Sequence, residues 1–161
     1  MSTIYVVVGS ASSVEYARIE RALDILASAS DSFRSCKVVV RDDSWANVFN
    51  SVVEGLGFQT QVEVMDSARC GAFAFSRSGK FLGRADAFLE GMRSKFGLTL
   101  DGSEEYFAGL AEENGERFNA AEVGGATIFA AGARDGGSMD NAVDFLLTVL
   151  GDDVEVALKE G

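Results

Sequence analysis

The sequence predicts an α/β fold: a βαβ unit, then a β-hairpin running into a third helix, with helices on both faces of one sheet in a three-layer sandwich. Three observations predict it. Two apolar, β-branched runs, residues 4–8 (Ile-Tyr-Val-Val-Val) and 36–40 (Cys-Lys-Val-Val-Val), stand on either side of an amphipathic segment. Residues 71–96 alternate as a strand, turn and return, then take up helical periodicity. Charge divides the chain: residues 1–100 hold 11 Lys/Arg and 11 Asp/Glu, and residues 101–161 hold 3 and 14, so the second part supplies the whole net charge of −11. This boundary predicts a first domain over 1–99 and an acidic α/β extension over 100–161, packed on the first domain or partly repeating it.

The first run is a buried strand, because branched side chains suit the pleated surface. Gly9 to Ser13 is a loop, and Ser12 with Glu15 fits a capping box opening the first helix. Tyr16, Ile19, Leu23 and Leu26 share one helical stripe, with Glu20, Arg21 and Asp24 largely outside it. The second run is a strand parallel to the first, as a βαβ crossover requires. Asp42-Asp43-Ser44 supplies the cap of a second helix, whose buried face is Trp45, Val48, Phe49, Val52 and Leu56, and Gly57 ends it. Residues 61–65 read as a short extended segment.

Residues 72–75 alternate small and aromatic side chains. Arg77-Ser78-Gly79-Lys80 is turn chemistry with Gly79 free to take positive φ. Phe81-Leu82 returns, and Gly83 breaks the strand. Asp86 favours the first turn of a third helix, where Phe88, Leu89, Met92 and Phe96 share a face. In the extension, 103–113 reads as a helix anchored by Tyr106, Phe107 and Leu110 and interrupted at Asn114-Gly115. Residues 126–131 read as a strand, 132–137 as a Gly-rich loop, 138–150 as a helix and 154–158 as a last short strand. Gly-Ala-Phe-Ala-Phe at 71–75 is echoed by Gly-Ala-Thr-Ile-Phe at 125–129.

Composition excludes several chemistries. With no histidine, the chain has no Ser-His or Cys-His pair and lacks the commonest zinc ligand. Cys36 and Cys70 are its two cysteines, and their spacing matches no redox or metal motif. Buried, reduced thiols are the expectation, in a cytoplasmic protein without a presequence. No apolar run reaches the roughly 18 residues of a membrane helix. The acidic extension repels phosphate backbones, which argues against nucleic acid and leaves a basic protein partner open. Adjacent acids such as Glu104-Glu105 splay apart on a helix and form no catalytic pair.

Residues 3–98 resemble the glutaredoxin branch of the thioredoxin superfamily, and most closely the SH3-binding glutamate-rich proteins. The residues that carry the likeness are Ile4-Tyr-Val-Val-Val-Gly-Ser-Ala-Ser-Ser13, Val38-Val39-Val40 with Arg41-Asp42-Asp43, and Gly79-Lys-Phe-Leu-Gly-Arg-Ala-Asp-Ala-Phe88. The resemblance implies a thioredoxin-like fold. A glutaredoxin carries a redox cysteine where the first loop enters the first helix, and this sequence has Ser13-Val-Glu-Tyr16 there. The family's proline loop should fall near 71–73, and the chain contains no proline. The resemblance therefore implies a redox-inactive protein, neither enzyme nor cofactor carrier. It would serve as a protein-binding or structural subunit of a larger assembly. Candidate binding residues are Ser10, Ser12, Ser13, Tyr16, Cys70, Tyr106 and Phe107; no catalytic or metal-ligating residue is assigned. Two alternatives stand beside this reading. One is a flavodoxin-like carrier holding FMN on the Ser-rich loop. The other is a glutathione-binding monothiol protein using Cys70, with Arg69 beside it.

Overall fold

The computed structural model describes residues 4–30, 33–58, 60, 66–119, 126–131 and 154–158. The order is β1 (Ile4–Ser10), α1 (Val14–Ala29), β2 (Arg34–Val40), a 3-10 turn (Asp42–Ser44), α2 (Trp45–Leu56), β3 (Ala72–Ser76), β4 (Phe81–Gly83), α3 (Ala85–Phe96), α4 (Glu104–Asn119), β5 (Ala126–Ala131) and β6 (Val154–Leu158). The extended segment expected at 61–65, the loop at 132–137 and the helix at 138–150 lie outside the described residues. The helical half of the internal echo lies there too.

The strands form one six-stranded mixed sheet in the order β4-β3-β1-β2-β5-β6. β1 and β2 are parallel, with Ile4 opposite Arg34 and Ser10 opposite Val40. β3 runs antiparallel to β1, and β4 antiparallel to β3. The strands of the extension continue this sheet: β5 is antiparallel to β2, and β6 parallel to β5. An unpaired β2 edge would expose its row of amide and carbonyl groups, and β5 covers it.

Side-chain alternation builds two cores from the same strands. Val6, Val8, Cys36, Val38, Val40, Phe73 and Phe75 face α2, meeting Trp45, Phe49, Val52 and Val53. Tyr5, Val7, Val39, Ala72 and Ala74 face α1 and α3, meeting Tyr16, Ile19, Leu23, Phe88 and Met92. β3 thus gives its large residues to one face and its small ones to the other. Gly9 permits the close seating of α1, because a Cβ there would come within 2.6 Å of the Tyr16 ring.

The turns follow the expected chemistry in most places. Gly57 (φ 72°) closes α2, and Gly79 (φ 95°) shapes the hairpin turn, where Ser76 N–H donates to the Lys80 carbonyl at 2.9 Å. Three expectations are corrected. Ser13, not Ser12, caps α1, its hydroxyl accepting from the Tyr16 amide at 3.2 Å. Ser44 stands at the cap of α2 without a side-chain bond to it, because the chain enters through the 3-10 turn and Asp42 turns toward the β1–α1 loop. Helix α4 runs through Asn114-Gly115 to Asn119. Tertiary contact overrides local propensity there: Asn114 is buried, and its Nδ2 donates to Glu20 of α1 at 3.4 Å. Phe96 keeps to the face it shares with Phe88 and Met92, its ring edge-on to Tyr5 and Phe33, and it is 45% exposed where α3 ends at Gly97.

Candidate functional site

The parallel strands β1 and β2 end at the same edge of the sheet. The β1–α1 loop, the 3-10 turn, the segment 66–71 preceding β3 and the start of α3 converge there. Ser10, Ser12, Ser13 and Cys70, four of the sequence-predicted residues, meet at this end. Three hydrogen-bonded locks hold it together.

Asp42 forms the first. It takes the Ser10 hydroxyl, the Ser12 amide at 3.1 Å and the Ser12 hydroxyl at 2.5 Å. A carboxylate thus sits against the Ser-rich loop, where a phosphate would have to bind in the FMN reading. Like charges at such range disfavour that ligand.

Glu15 forms the second. Its Oε2 accepts the Gly71 amide at 2.9 Å, while Arg84 Nε and Nη2 each donate to the carboxylate at 2.9 Å. Arg84 also donates to the Arg69 carbonyl at 2.7 Å. Hydrogen bonding to Glu15 is the chief cause that raises the Arg84 pKa above its ordinary value. Gly71 is required here, because a Cβ would run into Ser13 Oγ.

Trp45 forms the third. Its indole N–H bridges the carbonyls of Ser67 at 3.1 Å and Cys70 at 2.9 Å. Asp66 Oδ1 accepts the amides of Ala68 and Arg69, both at 3.0 Å, which winds the chain tightly before β3.

Four of the seven candidate contact residues are buried: Ser10, Tyr16, Cys70 and Phe107. Tyr16 is fully buried, and its hydroxyl donates to Glu20 at 3.0 Å. Burial, then Glu20, hold its pKa well above the usual phenol value. Phe107 is buried where α4 packs on the rest of the chain, while its neighbour Tyr106 is 44% exposed. Cys70 is buried, with Sγ 3.3 Å from the Ala72 carbonyl. Burial and then Glu15 push its thiol up to about 11, against weaker lowering by Arg84. The hint from Arg69 fails, since Arg69 offers its carbonyl here and Arg84 is the nearby cation. Burial pushes Cys36 up to about 12. Neither thiol is poised as a nucleophile. Among the described residues no group of His, Cys, Asp and Glu is placed to hold a metal ion, and no helix is long and apolar enough to cross a membrane.

Sequence reasoning missed Asp42, Glu15, Arg84 and Trp45 as parts of this site. Glu15 and Arg84 lie 69 residues apart, so no local pattern joins them. Elsewhere, a shallow groove of about 260 Å³ between α1 and α3 is lined by Arg18, Asp86, Leu89, Glu90, Arg93 and Leu98. Its charges pair within it, Arg18 with Asp86 at 2.9 Å and Arg93 with Glu90 at 4.0 Å. No protein-family model matches the chain, and comparison with curated proteins finds no match.

Proposed function

We propose that this chain is a thioredoxin-like protein without thiol-disulfide chemistry, acting as a protein-binding or structural subunit of a larger assembly. One observation carries the reading: the start of α1, where a glutaredoxin presents its cysteine, is built from serines tied to Asp42 and a glutamate tied to Gly71 and Arg84. Both carboxylates oppose the formation of a thiolate there, and both lend rigidity. The strand order β4-β3-β1-β2, with β1 and β2 parallel and β3 antiparallel, supports the thioredoxin-like part of the reading. The antiparallel hairpin weighs against a flavodoxin-like sheet, and the buried Cys70 against a monothiol protein.

The contact function rests on what the surface offers. Tyr106 is exposed on α4, the helix that also carries the exposed Glu104, Glu105, Glu112, Glu113 and Glu116. An aromatic anchor among carboxylates suits a basic protein surface. In a glutathione-coupled disulfide assay, the full chain is expected to give no turnover above the uncatalysed rate. Turnover that disappears in Cys70→Ala would overturn the proposal.

A further inference from the structure

We propose that the Arg84 guanidinium and the Gly71 amide form a carboxylate receptor that the chain's own Glu15 keeps closed, and that removing Glu15 opens it to a carboxylate from outside. The geometry is that of a binding site. Arg84 Nε and Nη2 meet the two oxygens of one carboxylate at 2.9 Å each, and the Gly71 amide adds a third donor at 2.9 Å. A planar fork facing two oxygens selects a carboxylate over a spherical anion.

Each donor residue also has a hold of its own besides Glu15. Arg84 is the N-cap residue of α3, and its Nη2 is also held by the Arg69 carbonyl at 2.7 Å. Gly71 is held through its carbonyl, which accepts the Ser10 amide at 2.9 Å, and the turn before it is held by Trp45. The occupant comes from a third segment, the first turn of α1. The pair also reaches solvent, with the Arg84 side chain 40% and the Glu15 side chain 25% exposed. A ligand therefore has a path to the fork once the tethered carboxylate is gone. The matching chemistry in a partner is an aspartate, a glutamate or a chain terminus, and formate is the smallest probe of it.

The test uses the full chain with Glu15→Ala, unfolded thermally in sodium formate and in sodium chloride at equal ionic strength near neutral pH. The variant is expected to melt below the wild type, and about 0.1 M formate is expected to restore roughly half of the lost Tm, by mass action on the folded state. Chloride restores none of it, and formate leaves the wild type unchanged. Arg84→Ala combined with Glu15→Ala removes the response to formate. Equal melting of Glu15→Ala in the two salts, or an equal response in the double variant, overturns the proposal. Glu15→Ser guards against a failure to fold. If neither single variant melts cooperatively in chloride, recovery of a cooperative transition in formate supports the receptor, and its absence in both salts counts against it.

Discussion

A thiol-specific reagent added to the native protein at neutral pH is expected to leave Cys36 and Cys70 unmodified while labelling both at once in denaturant. Two effects multiply. Both side chains are buried, so the reagent has no approach. Burial also raises the thiols from an ordinary 9.0 to about 11 for Cys70 and about 12 for Cys36, which lowers the thiolate fraction about a hundredfold and about a thousandfold. The sign of the pH dependence follows. A thiol with a raised pKa stays protonated until the pH nears that value, so native Cys70 is expected to stay unlabelled even at pH 9, where an ordinary thiol is already about half ionised. A plateau near pH 7 would mean a thiolate stabilised at the site. Mass spectrometry of the labelled chain against pH reads this directly.

Phe73→Ala is expected to cost about 3–5 kcal/mol of stability, as deletion of a large buried ring does. Phe73, the second residue of β3, is fully buried and packs against four other rings, those of Phe49, Phe58, Phe75 and Phe81, at centroid distances of 5.8, 6.4, 6.1 and 5.9 Å. No neighbouring element can collapse onto the gap without breaking these edge-on and tilted contacts, so a cavity remains. Tyr106→Ala, at an exposed position of α4, is expected to stay within about 0.5 kcal/mol of the wild type. Urea unfolding of the two variants separates a packing residue from a surface one. A Tyr106 cost as large as that of Phe73 would make Tyr106 a structural anchor and remove it as a contact residue.

The framework was legible in the sequence wherever periodicity and punctuation act locally. Val6, Val7 and Val8 announce a buried strand, the Tyr16–Leu26 stripe a helix, and Gly57 and Gly79 the turns they make. The strands at 126–131 and 154–158 were legible in the same way. Their place in the sheet, β5 beside β2 and β6 beside β5, was not, because strand pairing is a long-range choice that composition does not encode. The site was the least legible part. Ser12 and Glu15 have the spacing of a capping box, but each found a stronger partner far away: Asp42 for the serine and Arg84 for the glutamate. The cap then passed to Ser13. Asn114-Gly115 misled for a related reason, since the bond to Glu20 holds in the helix a residue that alone would favour leaving it.

The two carboxylate locks give the proposed function a physical shape. The sheet end formed by the β1–α1 loop, the 3-10 turn, residues 66–71 and the start of α3 is cross-linked by hydrogen bonds among these four chain segments. Such a site gives rigidity, and rigidity suits a subunit that presents surface to a partner. The most direct measurement is size-exclusion chromatography with light scattering and absorbance on the full chain gently extracted from its own cells. The account predicts elution far above the chain's 17.1 kDa, with no flavin absorbance. A free 17.1 kDa monomer carrying flavin or glutathione would contradict it.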